Sequence, residues 1–178
     1  MTDGSEPHTR HQPWLQNFIV MYQALGTSKL DRQQAGSQHI NAQEIASQKA
    51  GSQPQDFKLL HQVYHSEVEF IDPLHHVSGI CALVAYFKNI YTHVEHCQFA
   101  IHHVVESDHE AAIYWTMTYT HRKLNHHQPI KVEGHSHLKQ REGMVGYHRD
   151  YLDVGAMVYE HIPLLGRVIK TIKQRAGE

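Results

Sequence analysis

Apolar residues recur along this chain at two spacings, one helical and one alternating. In WLQNFIVMYQAL, residues 14–25, Trp14, Phe18, Met21, Tyr22 and Leu25 fall on one side of a helix, and Gly26 supplies the stop. The helical period returns at residues 56–64, with Asp56 as a candidate N-cap. It returns again at residues 80–94, where Leu83, Phe87, Ile90, Tyr91 and Val94 line up behind a start at Ser78 or Gly79. Alternation marks residues 68–72, 97–105, 111–121, 130–140 and 144–152 as strands. In 111–121, Ile113, Trp115, Met117 and Tyr119 share one face, and Tyr114 and Thr116 lie on the other. Polar turns at 106–110 and 125–129 and a tight reversal at 141–143 join the last four strands into a meander.

The order ααβα followed by a meander predicts an α+β fold. A twisted antiparallel sheet curls around the preceding helices as a cone with an apolar interior. Phe70, Phe87, Tyr91, Trp115, Met117 and Tyr119 are candidates to line that interior as a ligand pocket. The same spacing also describes an ordinary core, and both readings stand at this point.

Two segments depart from the pattern. Residues 27–55 are rich in Gln, Ser, Ala and Gly, repeat AGSQ, and offer few large apolar side chains. They are expected to form a mobile insertion with a weak helix near 42–49, tolerated because long loops cost little. Its ends fall near Tyr22 and Asp72, so it can serve as a lid. At the other end, Pro163 opens a helix over 164–175 whose stripe is Leu165, Val168, Ile169 and Ile172. Arg167, Lys170, Lys173 and Arg175 make residues 163–176 a basic tail. Four charges are few for an anionic membrane surface, which favours packing on the body or a pocket lid.

The 178 residues suffice for one domain spanning 1–178, and 40% hydrophobic with 19% charged content is globular. A net charge of −2 gives no reason to expect nucleic acid. The polar start, with no apolar run after it, predicts no signal peptide, and no stretch is long enough to span a bilayer. Cys81 and Cys97 lack metal-like spacing and are expected as reduced thiols in the cytoplasm.

Chemistry concentrates in VEFIDPLHHVSG, residues 68–79. Strand parity puts Asp72 in line with Val68 and Phe70, and an aspartate kept from water is a usable proton acceptor. The competing reading is a plain turn cap with Pro73. The 19 histidines imply a steep gain of positive charge in mild acid. His135 and His137 form an HxH able to contribute to a zinc or copper site, but a third ligand is lacking, so neither metal nor cofactor is expected.

From Trp14 to Leu152 the pattern resembles the nuclear transport factor 2-like superfamily, a cystatin-like cone fold, and within it the SnoaL-like and ketosteroid-isomerase-like branch. The resemblance is carried by MYQAL (21–25), VYHSEVEFIDPLHHVSGI (63–80) and GHSHLKQREGMVGYHRDYLD (134–153). It implies that Tyr22 matches the isomerase's oxyanion-binding tyrosine and Asp72 its general base. His135, counted back from Gly143, stands where the isomerase has a protonated aspartate. The cyclase template instead implies Asp150, with His148 on the same strand face, as the acid–base pair. A structural pairing of Asp150 with Arg149 or Arg141, and a satisfied core role for His148, are the alternatives. The expected activity is cofactor-independent isomerase, cyclase or lyase chemistry on an apolar carbonyl compound. The other readings are a non-catalytic pocket for an apolar small molecule and a homodimeric module that pairs through the outer sheet face.

Overall fold

A computed structural model describes residues 11–26 and 57–176. Helix α1 is Pro13–Gly26 and α2 is Lys58–Val63. Strand β1 (Tyr64–Ile71), the short β2 (His76–Ser78) and helix α3 (Ile80–Tyr91) follow. The meander comprises β3 (Val94–Glu106), β4 (Glu110–His121), β5 (Ile130–Arg141) and β6 (Met144–Leu152). A short α4 (Val154–Met157) and a 3-10 turn (Tyr159–His161) lead to α5 (Leu165–Arg175).

The elements appear where periodicity placed them, with differences at the ends. Strand β1 is longer than expected because Tyr64 is already extended and takes over from the helix. Helix α3 stops at Tyr91, and Ile90, expected on its buried side, is exposed. Strand β2 was not anticipated; it folds back on β1 after the turn at Asp72. Asp56 and the insertion at 27–55, with its weak helix and lid role, lie outside the described residues.

The sheet has six strands in the order β2-β1-β6-β5-β4-β3. It is mixed: β1 and β6 run parallel, and every other neighbouring pair is antiparallel. Curvature brings its inner face around α1, α2 and α3 without closing β2 onto β3. The β5–β6 reversal carries positive φ at Glu142 and Gly143, as a tight hairpin with right-handed strand twist requires.

The interior of the cone is filled. Trp14, Leu15, Phe18, Met21, Tyr22 and Leu25 of α1 are buried against Val68, Phe70, Ile113, Trp115 and Leu138 of the sheet. Tyr22 lies on Phe99 with ring centroids 4.3 Å apart, and Phe99 meets Trp115 edge-on at 5.6 Å. Phe87 and Tyr91 close the α3 side over Phe70 and Phe57. Tyr119 and the partly buried Met117 belong to a second cluster around Cys97, Ile130 and Val132. The aromatic residues considered as pocket lining therefore pack chiefly on one another.

Candidate functional site

Alternation along β5 and β6 decides which side chains enter the interior. Ser136 pairs across with Asp150, and Leu138 with His148, so these four point inward together. The parallel partner β1 delivers Phe70 opposite His148. A hydrogen-bonded row results across four strands. The Tyr64 hydroxyl is 2.8 Å from His148 Nδ1, and His148 Nε2 is 2.8 Å from Asp150 Oδ1. Ser136 donates to the same Asp150 oxygen at 2.5 Å and accepts from Trp115 Nε1 at 2.9 Å.

Burial keeps the phenol of this row protonated. Desolvation first, and then the charge of Asp150, hold the Tyr64 phenol well above its ordinary pKa of 10.0. Tyr64 therefore stays protonated and can donate to Nδ1, while Nε2 faces the carboxylate. The His148 ring has no exposure and is boxed in, edge-on to Phe70 at 4.9 Å and Phe18 at 5.3 Å. Tyr22, expected from the helix α1 motif, reaches the same network beside Ser136 and Asp150. Burial and then Asp150 likewise raise its pKa and keep it a hydrogen-bond donor.

Among the described residues, a cleft lies at the edge of this network. Where β1 leaves β6 after the Ile71–Arg149 pair, Asp72, Pro73, Arg149, Asp150, Tyr151 and Leu152 line a cleft of about 230 Å3. Two carboxylates share that cleft. Asp150 keeps 10% side-chain exposure and Asp72 13%. Asp72 also caps its turn, accepting from the Leu74 and His75 N–H groups at 2.7 Å each. Tyr86 of α3 donates a short hydrogen bond to its other oxygen. Burial, then Asp72, then Asp150 push the Tyr86 phenol far up. The turn-cap reading of Asp72 and its place at a cleft are thus both seen. Arg149 lies over the Tyr151 ring at 4.8 Å, and Arg141 pairs with Glu67 at 2.8 Å, so neither forms the ion pair considered for Asp150.

His135 and His137 are elsewhere. His135 lies on the outer face, sandwiched between Tyr151 at 4.7 Å and Tyr114 at 5.3 Å. His137, also outside, is 2.9 Å from Glu110. The expected convergence of Asp72, Tyr22 and His135 on one cavity is not what the structure has; Tyr22, His148 and Asp150 come together instead. The reason is parity. Ser136 is the inward residue, and a count displaced by one position selects the opposite face. A bulge in the β5–β6 pair at Lys139/Gln140 makes that displacement easy. Tyr64, Ser136 and Tyr86 were missed as site residues. Ser136 was accessible from the alternation of β5, but Tyr64 and Tyr86 carry no local signal.

The SnoaL-like domain family matches residues 50–148 of this chain. The chain belongs to that family. A SnoaL-like protein from Jannaschia sp. CCS1 has the same fold, with TM-score 0.59 and 10% identity, covering 86% of this chain and 94% of that one. TerC, co-crystallised with polyporic acid, gives TM-score 0.59 at 13% identity over 82% of this chain and 95% of its own. An NTF2-like protein from Burkholderia pseudomallei K96243 gives 0.55 at 11% identity, with 80% and 94% covered. These identities establish the fold, and no curated protein matches the chain. SnoaL-like membership makes this a small-molecule pocket protein. No described helix is long and apolar enough to cross a membrane.

Proposed function

We propose that this protein is a cofactor-independent isomerase, cyclase or lyase that moves a proton on an apolar carbonyl compound held at the Asp72–Asp150 cleft. One observation carries the reading. Asp150 faces the cleft while its Oδ1 is held from behind by Ser136 and a buried His148. A carboxylate fixed this way needs no reorganisation to accept a proton from carbon next to a carbonyl. The electron pair left behind moves to the carbonyl oxygen, giving an enolate held at the cleft. The proton then returns at another carbon in an isomerisation, or the enolate attacks a second carbonyl in a cyclisation. Asp72, with its oxygens taken by two backbone amides and Tyr86, shapes the cleft. The TerC relative, crystallised with polyporic acid, makes aromatic polyketone-like compounds the first class to try.

Solvent-deuterium incorporation into apolar ketones and aromatic diketones, read by mass spectrometry, tests this. Wild type should catalyse exchange, and Asp150→Asn should lose about a hundredfold or more with the fold retained. Asp72→Asn should lose less. Equal exchange in Asp150→Asn and wild type would remove Asp150 from the role, and loss confined to Asp72→Asn would transfer it to Asp72.

The outer sheet face supports a second element of this reading, a homodimer. Tyr114, His135 and Tyr151 form a stacked, partly exposed ladder there, a surface suited to pairing with its own copy. Light scattering at micromolar concentration should give a dimer, and Tyr114→Glu should give a monomer. A monomeric wild type excludes the pairing.

A further inference from the structure

We propose that α5 is an interfacial helix that docks the protein on an anionic lipid bilayer. The helix was expected to bury its apolar stripe, and it does not. Val168 is 54% exposed, Ile172 58%, Leu165 40%, and Leu164, just before the helix, 75%. The helix is held to the body by a different side. Gly166 sits so close to Glu160 that a Cβ there would clash with its carbonyl oxygen. Lys173 bonds Asp153 at 2.6 Å and Glu160 at 2.5 Å. Those contacts fix the helix with its stripe turned outward.

Charge selects the occupant. Helix α5 contains Arg167, Lys170, Lys173 and Arg175 and no acidic residue. Lys173 is neutralised by its two partners, but among the described residues Arg167, Lys170 and Arg175 make no ion pair. A second copy docking stripe to stripe would bring identical cations together around a two-fold axis. Four aliphatic side chains also fall far short of the roughly 800 Å2 per partner that a stable protein interface uses. An anionic membrane surface meets both features: aliphatic side chains enter the acyl boundary while Arg167 and Arg175, the cations nearest the stripe, contact headgroups. The position is suggestive too. Leu152 lines the cleft, and Asp153, the next residue, is the one bonded to Lys173. The docking helix is thus tied to the cleft rim, although the membrane inference does not depend on the proton-transfer reading.

Co-sedimentation of the full chain with phosphatidylcholine vesicles, with and without phosphatidylglycerol, tests the proposal. Wild type should bind only the phosphatidylglycerol vesicles, more weakly as salt rises. Val168→Asp/Ile172→Asp should release it, and Arg167→Gln/Arg175→Gln should lower affinity roughly thirtyfold. All four sites are exposed, and circular dichroism checks that the fold is intact. Failure of wild type to bind phosphatidylglycerol vesicles at low salt overturns the proposal. So does binding that survives Val168→Asp/Ile172→Asp. An oligomer that the same double variant dissociates, in a chain that ignores vesicles, would assign the stripe to a protein interface instead.

Discussion

The two faces of the sheet use the same residue type for opposite ends. His148 and His135 lie on the neighbouring strands β6 and β5, one on each face. His148 has no exposure, and each of its ring nitrogens has a fixed partner in Tyr64 and Asp150. Among the described residues His135 is held by stacking against Tyr114 and Tyr151, both of which reach solvent. Inside, low dielectric and close packing make each hydrogen bond hard to replace. Outside, water and salt compete for every partner. Chemistry that needs a fixed proton path belongs inside, and contacts that must form and dissolve belong outside.

The sharpest test of this contrast is the matched pair His148→Ala and His135→Ala. The first strands Tyr64 and Asp150 and empties an aromatic box, and should cost about 3–5 kcal/mol in urea denaturation. The second should stay within about 1 kcal/mol. Equal losses would erase the distinction between the faces.

Ser136→Ala probes the inner row more gently. It leaves Trp115 Nε1 without its acceptor and Asp150 without one donor. The expected loss is about 1–3 kcal/mol, with proton exchange reduced as well. A neutral result would mean that water replaces the serine and that the row is less dry than its burial indicates.

Glu110 tests the outer face, with the smallest effect. Hydrogen bonds from His137 and then Lys139 lower its pKa from the ordinary 4.5. A depressed folded-state pKa contributes stability above the unfolded value and loses it as pH falls through the folded one. Wild type should therefore have a slightly higher denaturation midpoint than Glu110→Gln above about pH 4.5, and the gap should close below it. Because half of the Glu110 side chain is open to solvent, added salt should close the gap at higher pH as well. A gap indifferent to salt would show that this part of the outer face is not solvent-screened.

Local pattern determined much of this protein. Helix α1 and its buried face, strands β3 to β6, and the inward placement of Trp115 follow from periods of 3.6 and 2, which any short window of sequence displays, whereas His148 and Asp150 were singled out only through the family resemblance. What pattern alone left open was which distant segments meet. The parallel β1–β6 pairing joins Tyr64 to His148 across 84 positions and brings Asp72 to the cleft of Asp150. Tyr86 finds Asp72 only because α3 packs across the end of β1. Parallel pairing carries no turn signature, since its strands are joined by a long excursion rather than a hairpin. The face of His135 was decidable from alternation, but position counting against a remote family displaced it by one residue, and a period of two turns one residue into the opposite side. The exposed stripe of α5 likewise looked like a packing face, because amphipathicity says that a helix has an apolar side and tertiary structure decides whether the body covers it.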